Sequence, residues 1–139
     1  GAACGAAVTE SDRALVAALL SAIGRVEWVE REDLIDVVTA VSGSGPAYVF
    51  HMVEALAAAG AAAGLPADLA LRLARATVEG SGELLYRSPE SAEQLRVNVT
   101  SPGGTTAAAL AVLMGENGLT KLMTEAVAAA EKRSRELAG

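Results

Sequence analysis

The sequence contains few aromatic residues and almost no cysteine. One Trp, one Phe and two Tyr occur among 139 residues, although 52% of the residues are hydrophobic. The core is therefore predicted to be aliphatic and rich in alanine, a residue that favours helices and allows helix axes to approach closely. Cys4 is the only cysteine, which excludes an internal disulfide and a cysteine-based zinc site and favours a cytoplasmic location.

Clusters of basic residues and strongly apolar runs are also missing. The formal net charge is -6, and without a basic patch the chain is not expected to bind nucleic acid. The longest apolar window, residues 47–65, contains His51 and Glu54 and is mostly alanine and glycine in its second half. A membrane span needs about 20 strongly apolar residues, so this window is predicted to be a buried helix and no membrane contact is expected.

A metal site is not expected either, because His51 is the only histidine and two residues with Glu54 are too few for one. We interpret His51 as a structural or exposed residue. The acidic side chains between Glu27 and Asp36 are spread along a link and a helix start. These carboxylates are predicted to keep this segment in contact with water and to stabilise the N-terminus of the helix that follows.

The spacing of apolar residues predicts about seven helices and no sheet, which is an all-α fold in a single helical domain covering residues 1–139. Thr9 and Asp12 are placed as a capping box for the first helix, with Gly24 as its stop. Residues 25–29 are predicted to be a short extended link. Later helices are expected to start after Ser44, near Ala67, after Ser88 and at Thr105.

The first residues, GAACGAAVTESDR, have no basic region followed by an apolar core, so they are not a secretion signal. Small residues that lead directly into a helix are instead typical of a chain cut from a longer protein. The charge is spread too thinly to solvate every apolar helix face. Self-association is therefore expected, because large apolar patches usually mark interfaces.

The segment SPGGTT, residues 101–106, interrupts the helices with six small residues. A helix N-terminus has N–H groups without intrahelical partners and a partial positive charge, so it attracts anions. Gly103 and Gly104 have no side chain to keep an anion away, and the neighbouring hydroxyls can add hydrogen bonds. The motif predicts a cradle for a carboxylate or phosphate. The alternative is a flexible connection followed by an ordinary threonine cap.

The segment SGSGP, residues 42–46, contains G-x-G but is not a dinucleotide fingerprint. It lacks the preceding buried strand, the third glycine and the acidic residue about 20 positions later. We interpret it as a tight break between two helices, in which Gly43 and Gly45 allow the backbones to approach.

Three blocks carry a family resemblance: VTAVSGSGPAYVF, AAAGLPADLALRLA and QLRVNVTSPGGTTAAALAVL. In this order and at these separations they resemble the C-terminal domain of pyrroline-5-carboxylate reductase, and the similarity covers nearly the whole chain. The resemblance implies a helical fold like the C-terminal domain of 6-phosphogluconate dehydrogenase, built as an interlocked homodimer that some members assemble into larger rings. It implies reduction of 1-pyrroline-5-carboxylate to L-proline with NADPH or NADH, the last step of proline biosynthesis.

The resemblance also implies roles for individual residues. The substrate carboxylate is expected on backbone N–H groups and hydroxyls of a loop made of Ser101, Gly103, Gly104, Thr105 and Thr106. Thr106 is the expected catalytic residue, hydrogen-bonded to the ring nitrogen, and Asn98 is expected near the nicotinamide of the cofactor. An imine accepts hydride best when its nitrogen is hydrogen-bonded and its carboxylate is fixed, so positioning supplies much of the catalysis.

The chain departs from the family pattern in one respect, because no G-x-G-x-x-G follows a strand. In the family a Rossmann-type domain supplies that site, so this chain alone is expected to bind the cofactor weakly and to be inactive or inefficient. Three readings stay open: a domain excised from a complete reductase, a naturally truncated dimerisation module without activity, and a related oxidoreductase with another substrate. The Ser-Pro-Gly-Gly loop favours the pyrroline enzyme over the third.

Overall fold

The computed structural model describes all residues from Gly1 to Gly139 and is almost entirely helical. This confirms the predicted all-α class. The chain divides into two compact units, the first made of Gly1–Gly45 and Glu125–Gly139 and the second of Pro46–Thr124. The α-helices are α1 Glu10–Ser21, α2 Ile35–Val38, α3 Gly45–Ala62, α4 Ala67–Arg87, α5 Ala92–Asn98, α6 Thr105–Leu113 and α7 Leu119–Ala138.

The first unit contains a small parallel sheet, so the prediction that the chain has no sheet is wrong. Strand β1, Ala2–Ala3, pairs with strand β2, Trp28–Val29, and α1 connects them. The backbone N–H of Ala2 also donates to the carbonyl oxygen of Glu27 at 2.9 Å. The local sequence pattern predicted an extended link around Trp28 but no strand at Ala2. Pairing between segments this far apart cannot be predicted from the few residues around either strand.

Helix α1 begins with the predicted capping box. The Thr9 hydroxyl accepts a hydrogen bond from the Asp12 backbone N–H at 3.2 Å, and the Asp12 carboxylate accepts from the Thr9 N–H at 3.0 Å and from its hydroxyl at 2.6 Å. The helix ends at Ser21 with Ala22 as its cap. The predicted stop at Gly24 is therefore wrong, since 3₁₀-type bonds at Ala22 and Ile23 already close the last turn.

The capping box makes the start of α1 sensitive to acid. The hydrogen bonds from Thr9 hold the pKa of Asp12 below its ordinary value of 3.8. The stabilisation is present above the unfolded pKa and is lost as the pH falls through the lower folded pKa. We expect the amide signals of α1 to shift toward random-coil positions below about pH 4, measured by NMR. In Asp12→Asn the start of α1 should lose this pH dependence, and an identical titration in that variant would contradict the assignment.

From Glu32 onward the segment after β2 is helical except for a bend at Ser44. A 3₁₀ turn, Glu32–Leu34, runs into α2, and a π-helical segment, Thr39–Gly43, follows and is separated from α3 by Ser44 alone. The N–H of Ser44 donates to the Thr39 carbonyl at 2.9 Å. The predicted start of a helix after Ser44 is confirmed, because α3 begins at Gly45, but the predicted Ser44 cap is wrong. Ser44 keeps a right-handed helical backbone, whereas an N-cap residue has an extended one.

Asp36 joins α2 to the end of α7 within the first unit. Its carboxylate accepts a hydrogen bond from the Ser134 hydroxyl at 2.6 Å and lies 4.0 Å from Arg135 Nε. The Asp36 side chain is only 24% exposed. Asp36 was predicted to be a solvating residue, but the structure gives it a structural role that depends on a partner 98 positions away.

Helices α3 and α4 meet in the second unit through small residues. A Cβ placed on Gly60 would lie 3.3 Å from the Cβ of Ala70, and Ala70 and Ala74 are fully buried. Gly64, with φ +106°, lies between the two helices, and α4 begins at Ala67 as predicted. The close approach of the two helices at this point therefore depends on alanine and glycine.

Helix α5 is capped by Ser91 and not by Ser88, so that prediction is wrong. The Ser91 hydroxyl accepts from the Gln94 N–H at 3.1 Å. Ser88 instead accepts from the Glu90 N–H at 3.1 Å. This bond spans only two positions and forms a local turn that contains Pro89, which leaves the helix to start one turn later.

The chain leaves a large apolar surface uncovered. Its accessible area is 10354 Å², whereas a folded monomer of this mass exposes about 6,700 Å². Ala40, Ala70 and Ala74 are the only buried hydrophobic residues, and no large side chain is fully buried. None of the helices combines the length and the apolar character needed to cross a membrane. The uncovered surface is the kind that a protein partner would bury.

Candidate functional site

The segment that leads into residues 101–106 leaves α5 in a fixed direction. The N–H of Thr100 donates to the Val97 carbonyl at 3.0 Å, and the Thr100 hydroxyl donates to the Arg96 carbonyl at 2.6 Å. Both bonds satisfy carbonyls at the helix end that have no intrahelical partner. Thr100 is half-buried. The sequence analysis missed this residue, although a threonine directly after a predicted helix is a signal for such a bond.

Residues 101–104 form a tight turn. The N–H of Gly104 donates to the Ser101 carbonyl at 3.0 Å, and Gly103 has φ +68°. Proline followed by glycine with a positive φ is the pattern of a type II turn. A Cβ on Gly104 would lie 3.2 Å from the Ser101 carbonyl oxygen. Both glycines are therefore required by the backbone, one by its conformation and the other by the close approach.

The turn of residues 101–104 leads directly into the N-terminus of α6. Gly104 is the N-cap, with an extended backbone and no side-chain capping bond. The threonine cap considered as the alternative is therefore not formed. The N–H groups of Thr105, Thr106 and Ala107 have no intrahelical acceptor, while the first intrahelical bond runs from Ala108 to Gly104 at 3.2 Å. Three N–H groups next to glycine at the positive end of a helix suit a carboxylate.

The predicted loop residues differ in exposure. Ser101, Gly103 and Thr105 are exposed, whereas Gly104 and Thr106 are half-buried. The structure brings all five together in one turn and the first turn of α6. Thr105 and Thr106 are successive residues of a helix and lie about 100° apart around its axis. Their hydroxyls therefore have different surroundings, and the less exposed Thr106 is the better placed of the two to act on a bound molecule away from solvent.

The predicted cofactor residue, Asn98, is engaged by neighbours at the end of α5. Its amide oxygen accepts from Gln94 Nε2 at 2.8 Å, and its Nδ2 donates to Glu90 Oε2 at 3.0 Å. Asn98 is exposed and lies three positions before the Ser101 turn. It is close to the loop along the chain, and its side-chain amide keeps one N–H and one lone pair of the oxygen for a further hydrogen bond.

Arg96 supplies the positive charge between α5 and the end of α6. Its guanidinium lies 3.6 Å from the sulfur of Met114 and 3.8 Å from the carboxylate of Glu93. The side chain is 36% exposed, and Met114 is the C-cap of α6. A cation near the C-terminus of α6 interacts favourably with the negative end of the helix dipole. The sequence analysis did not single out Arg96, because its contact with Met114 joins two helices.

His51 and Glu54 lie on the exposed side of α3. Nδ1 of His51 lies 3.0 Å from a Glu54 carboxylate oxygen, and the two side chains are 81% and 73% exposed. The structure contains no cluster of three or more His, Cys, Asp or Glu residues that could hold a metal ion. The interpretation of His51 as an exposed residue is confirmed.

The chain matches a family model described as pyrroline-5-carboxylate reductase dimerisation over residues 32–137. Among curated relatives, the pyrroline-5-carboxylate reductase of Pisum sativum is 47% identical over 133 residues, which are 96% of this chain and 48% of the pea protein. The enzyme of a Synechocystis species is 52% identical over 120 residues, which are 86% of this chain and 44% of that protein.

Solved structures agree with the sequence comparison. A pyrroline-5-carboxylate reductase from Coxiella burnetii superposes with a TM-score of 0.87 at 40% identity, covering 97% of this chain and 50% of that one. The Plasmodium falciparum pyrroline carboxylate reductase, solved with NADP bound, gives a TM-score of 0.77 at 33% identity and covers 97% of this chain and 51% of that one.

These matches define a helical dimerisation region of an oxidoreductase family. The chain belongs to the pyrroline-5-carboxylate reductase family, and the resemblance found in its motifs is confirmed. It spans about half the length of the curated relatives that it matches.

Proposed function

We propose that this chain is the dimerising and substrate-binding part of a reductase that converts 1-pyrroline-5-carboxylate to L-proline with NADPH or NADH. The observation that supports the binding role is the N-terminus of α6, where no side chain caps the helix and Gly103 and Gly104 leave the N–H groups accessible. The substrate carries one carboxylate, which is the group that such a site suits.

Thr106 and the carboxylate cradle have complementary roles in this proposal. The N–H groups of Thr105, Thr106 and Ala107 hold the substrate carboxylate, and the hydroxyls of Ser101 and Thr105 add hydrogen bonds to it. The Thr106 hydroxyl donates to the ring nitrogen, which gains electron density when the imine carbon accepts hydride and then takes a proton from water to become the secondary amine of L-proline. A bond that strengthens as that charge develops lowers the barrier, and the fixed carboxylate keeps the ring oriented.

The residues of this chain do not fit the phosphates of a dinucleotide. The G-x-G of residues 43–45 joins two helical segments, since Gly43 ends the π-helical segment and Gly45 begins α3, whereas a phosphate cradle needs a turn between a strand and a helix. The nicotinamide cofactor supplies the hydride when it is bound, and in this proposal its phosphates are held outside the chain. Asn98, at the end of α5, remains the candidate for contact at the nicotinamide.

The dimer is the second part of the proposal. The accessible area of one chain exceeds that of a monomer of equal mass by about 3,700 Å², which is more than the roughly 1,000–2,500 Å² that each partner of a large obligate dimer buries. The family model that matches residues 32–137 is itself described by dimerisation. We therefore propose an interlocked homodimer, which in a complete reductase can be the unit of a larger ring.

Binding of the product tests the site in the chain itself. We expect L-proline to shift the NMR amide signals of residues 105–107 in the 139-residue chain, because its carboxylate accepts their hydrogen bonds. Pyrrolidine is the matched control, since it has the same ring without the carboxylate and should leave these signals in place.

The variant Gly104→Val should abolish the response, because its side chain would occupy the cradle and lie against the Ser101 carbonyl. The Leu137→Val variant, at an exposed position near the end of α7, should bind proline as the unaltered chain does. Equal shifts with proline and pyrrolidine, or proline-dependent shifts only outside the loop, would contradict the proposed site.

A further inference from the structure

The side-chain amide of Asn98 is held by two residues that precede it along the chain. Its oxygen accepts a hydrogen bond from Gln94 Nε2 at 2.8 Å, and its Nδ2 donates to Glu90 Oε2 at 3.0 Å. Gln94 lies one helical turn before Asn98 within α5, whereas Glu90 lies eight positions earlier, outside the helix. One small polar group is therefore fixed by two partners from different parts of the chain.

Glu90 reaches Asn98 from a backbone that is itself held in place. The N–H of Glu90 donates to the Ser88 hydroxyl at 3.1 Å, and Pro89 between them has a fixed φ. Gln94 and Asn98 both lie within α5. The turn before α5 and the helix itself thus set the positions from which the two partners contact the Asn98 amide.

The two partners differ in the orientation of the amide that they allow. A carboxylate only accepts hydrogen bonds, so the group of Asn98 that faces Glu90 must be the NH2 group. The oxygen of Asn98 is then turned toward Gln94. Gln94 alone could bond to either orientation, because its own amide contains both a donor and an acceptor. Glu90 therefore determines which way the Asn98 amide points.

The fixed amide of Asn98 suits the carboxamide of a nicotinamide ring. After its two internal bonds it keeps one N–H and one lone pair of the oxygen. These can bond to the carbonyl oxygen and the NH2 group of one carboxamide. A side chain that is already ordered loses less freedom when a ligand binds, so a fixed amide binds more tightly than a mobile one.

We propose that Glu90 and Gln94 are positioning residues for the nicotinamide cofactor. They hold the Asn98 amide in the single orientation that recognises the carboxamide, with Glu90 selecting the orientation and Gln94 limiting the motion. They act through Asn98 and not by touching the cofactor. The inference rests on the proposed function, because it takes Asn98 to contact the nicotinamide in a complete reductase.

The motion of the Asn98 side chain tests the proposal in the 139-residue chain. NMR relaxation of Asn98 Nδ2 should show a rigid group in the unaltered chain, whereas in Glu90→Ala its order parameter should fall below about 0.6, the flexible range. Glu93→Ala is the matched control, because it removes another carboxylate of this region, one that lies 3.8 Å from Arg96. The backbone order parameters of α5 show in the same samples that the helix is intact. A rigid Asn98 in Glu90→Ala would overturn the proposal.

Selectivity for the carboxamide tests the proposal in a complete reductase. In a chimera, this 139-residue chain replaces the matched region of the pea enzyme. Calorimetry compares NADPH with its reduced 3-acetylpyridine analogue, which keeps the carbonyl oxygen but has a methyl group where the carboxamide has NH2. The unaltered chimera should bind NADPH about tenfold more tightly than the analogue, because the Asn98 oxygen has no partner in the analogue complex.

The preference for NADPH should fall to about threefold or less in Glu90→Ala and in Gln94→Ala, because the Asn98 amide is then mobile. Glu93→Ala should keep the full preference. A purely structural role of Glu90 would weaken the binding of NADPH and of the analogue equally. An unchanged ratio of the two affinities in Glu90→Ala would therefore overturn the proposal.

The variant Asn98→Ala separates this inference from the proposed function. It should abolish the preference for NADPH over the analogue. If the preference persists in Asn98→Ala, Asn98 does not contact the carboxamide, and that part of the proposed function is wrong together with this inference. If Asn98→Ala abolishes the preference while Glu90→Ala and Gln94→Ala retain it, the contact of Asn98 stands and only the positioning role is wrong.

Discussion

The 139-residue chain is expected to behave as a dimer with twice its 14.0 kDa mass, and glutamate at Met52 and Leu56 is expected to convert it to a monomer. Val49, Met52 and Leu56 form an apolar stripe on α3 and are 40%, 44% and 45% exposed. The contact between α3 and α4 uses alanine and glycine and leaves this stripe open. In the proposed dimer the partner chain covers this stripe. Each introduced glutamate would therefore be buried away from water at the interface, once in each copy of the chain.

The size of the effect follows from the cost of placing unpaired charges in an interface. Such charges cost several kcal/mol, and about 4 kcal/mol raises the dissociation constant roughly 1000-fold. Light scattering after size exclusion measures the mass in solution, and mass spectrometry checks the intact chain. The same samples are compared by circular dichroism, because a monomer that retains helix separates loss of association from loss of the fold.

The matched control places two glutamates on the opposite side of the same helix. Ala47 and Ala58 are exposed and lie on the side of α3 that carries His51 and Glu54. The double variant Ala47→Glu and Ala58→Glu should remain dimeric. A stable monomer of the unaltered chain, or a dimer that tolerates glutamate at both Met52 and Leu56, would contradict the proposed interface on α3.

In a chimeric reductase, in which this 139-residue chain replaces the matched region of the pea enzyme, removal of the Thr106 hydroxyl is expected to reduce kcat/KM about 100-fold. This is the usual cost of losing one donor aimed at developing charge. The loss should appear mainly in kcat, because the hydrogen bond to the ring nitrogen is strongest in the transition state. Thr106 is half-buried in the first turn of α6, so its replacement by alanine leaves the backbone N–H groups in place. The dimer mass should not change.

Two further variants distinguish the chemistry of the hydroxyl from a packing effect. Thr106→Ser keeps the donor and should recover most of the activity, whereas a loss equal to that of Thr106→Ala would indicate that the methyl group matters and not the hydroxyl. Thr120→Ala makes the same change in the first turn of α7, outside the proposed site, and should be fully active. Normal turnover by Thr106→Ala would remove Thr106 from the catalytic role.

The outcome at the two serines before α5 shows the limit of local signals. Both Ser88 and Ser91 can cap a helix, and Ser88 was predicted because Pro89 after it suits the first helical position. In the structure Ser88 closes a short turn with Glu90, and Ser91 caps α5. The order Ser91–Ala92–Glu93–Gln94 also matched a capping pattern. The sequence therefore contained the correct signal next to a competing one of similar strength.

The sequence by itself determined those features that depend on neighbours within one helical turn. Three predicted features depend only on residues that are close in sequence. They are the capping box of Thr9 and Asp12, the start of α4 at Ala67, and the position of Gly103 and Gly104 at the N-terminus of α6. The predicted loop residues come together in space because they are adjacent along the chain. The family was evident for the same reason, since its motifs are short continuous segments.

The tertiary structure alone decided the features that join distant segments. The pairing of Ala2 with Trp28 and the bond from Ser134 to Asp36 have no local signature, because each residue gains its role from a partner far along the chain. The π-helical form of residues 39–43 was likewise not predicted from local spacing. Local hydrogen bonds can be read from spacing, whereas sheet pairing and burial depend on which surfaces meet after the chain folds.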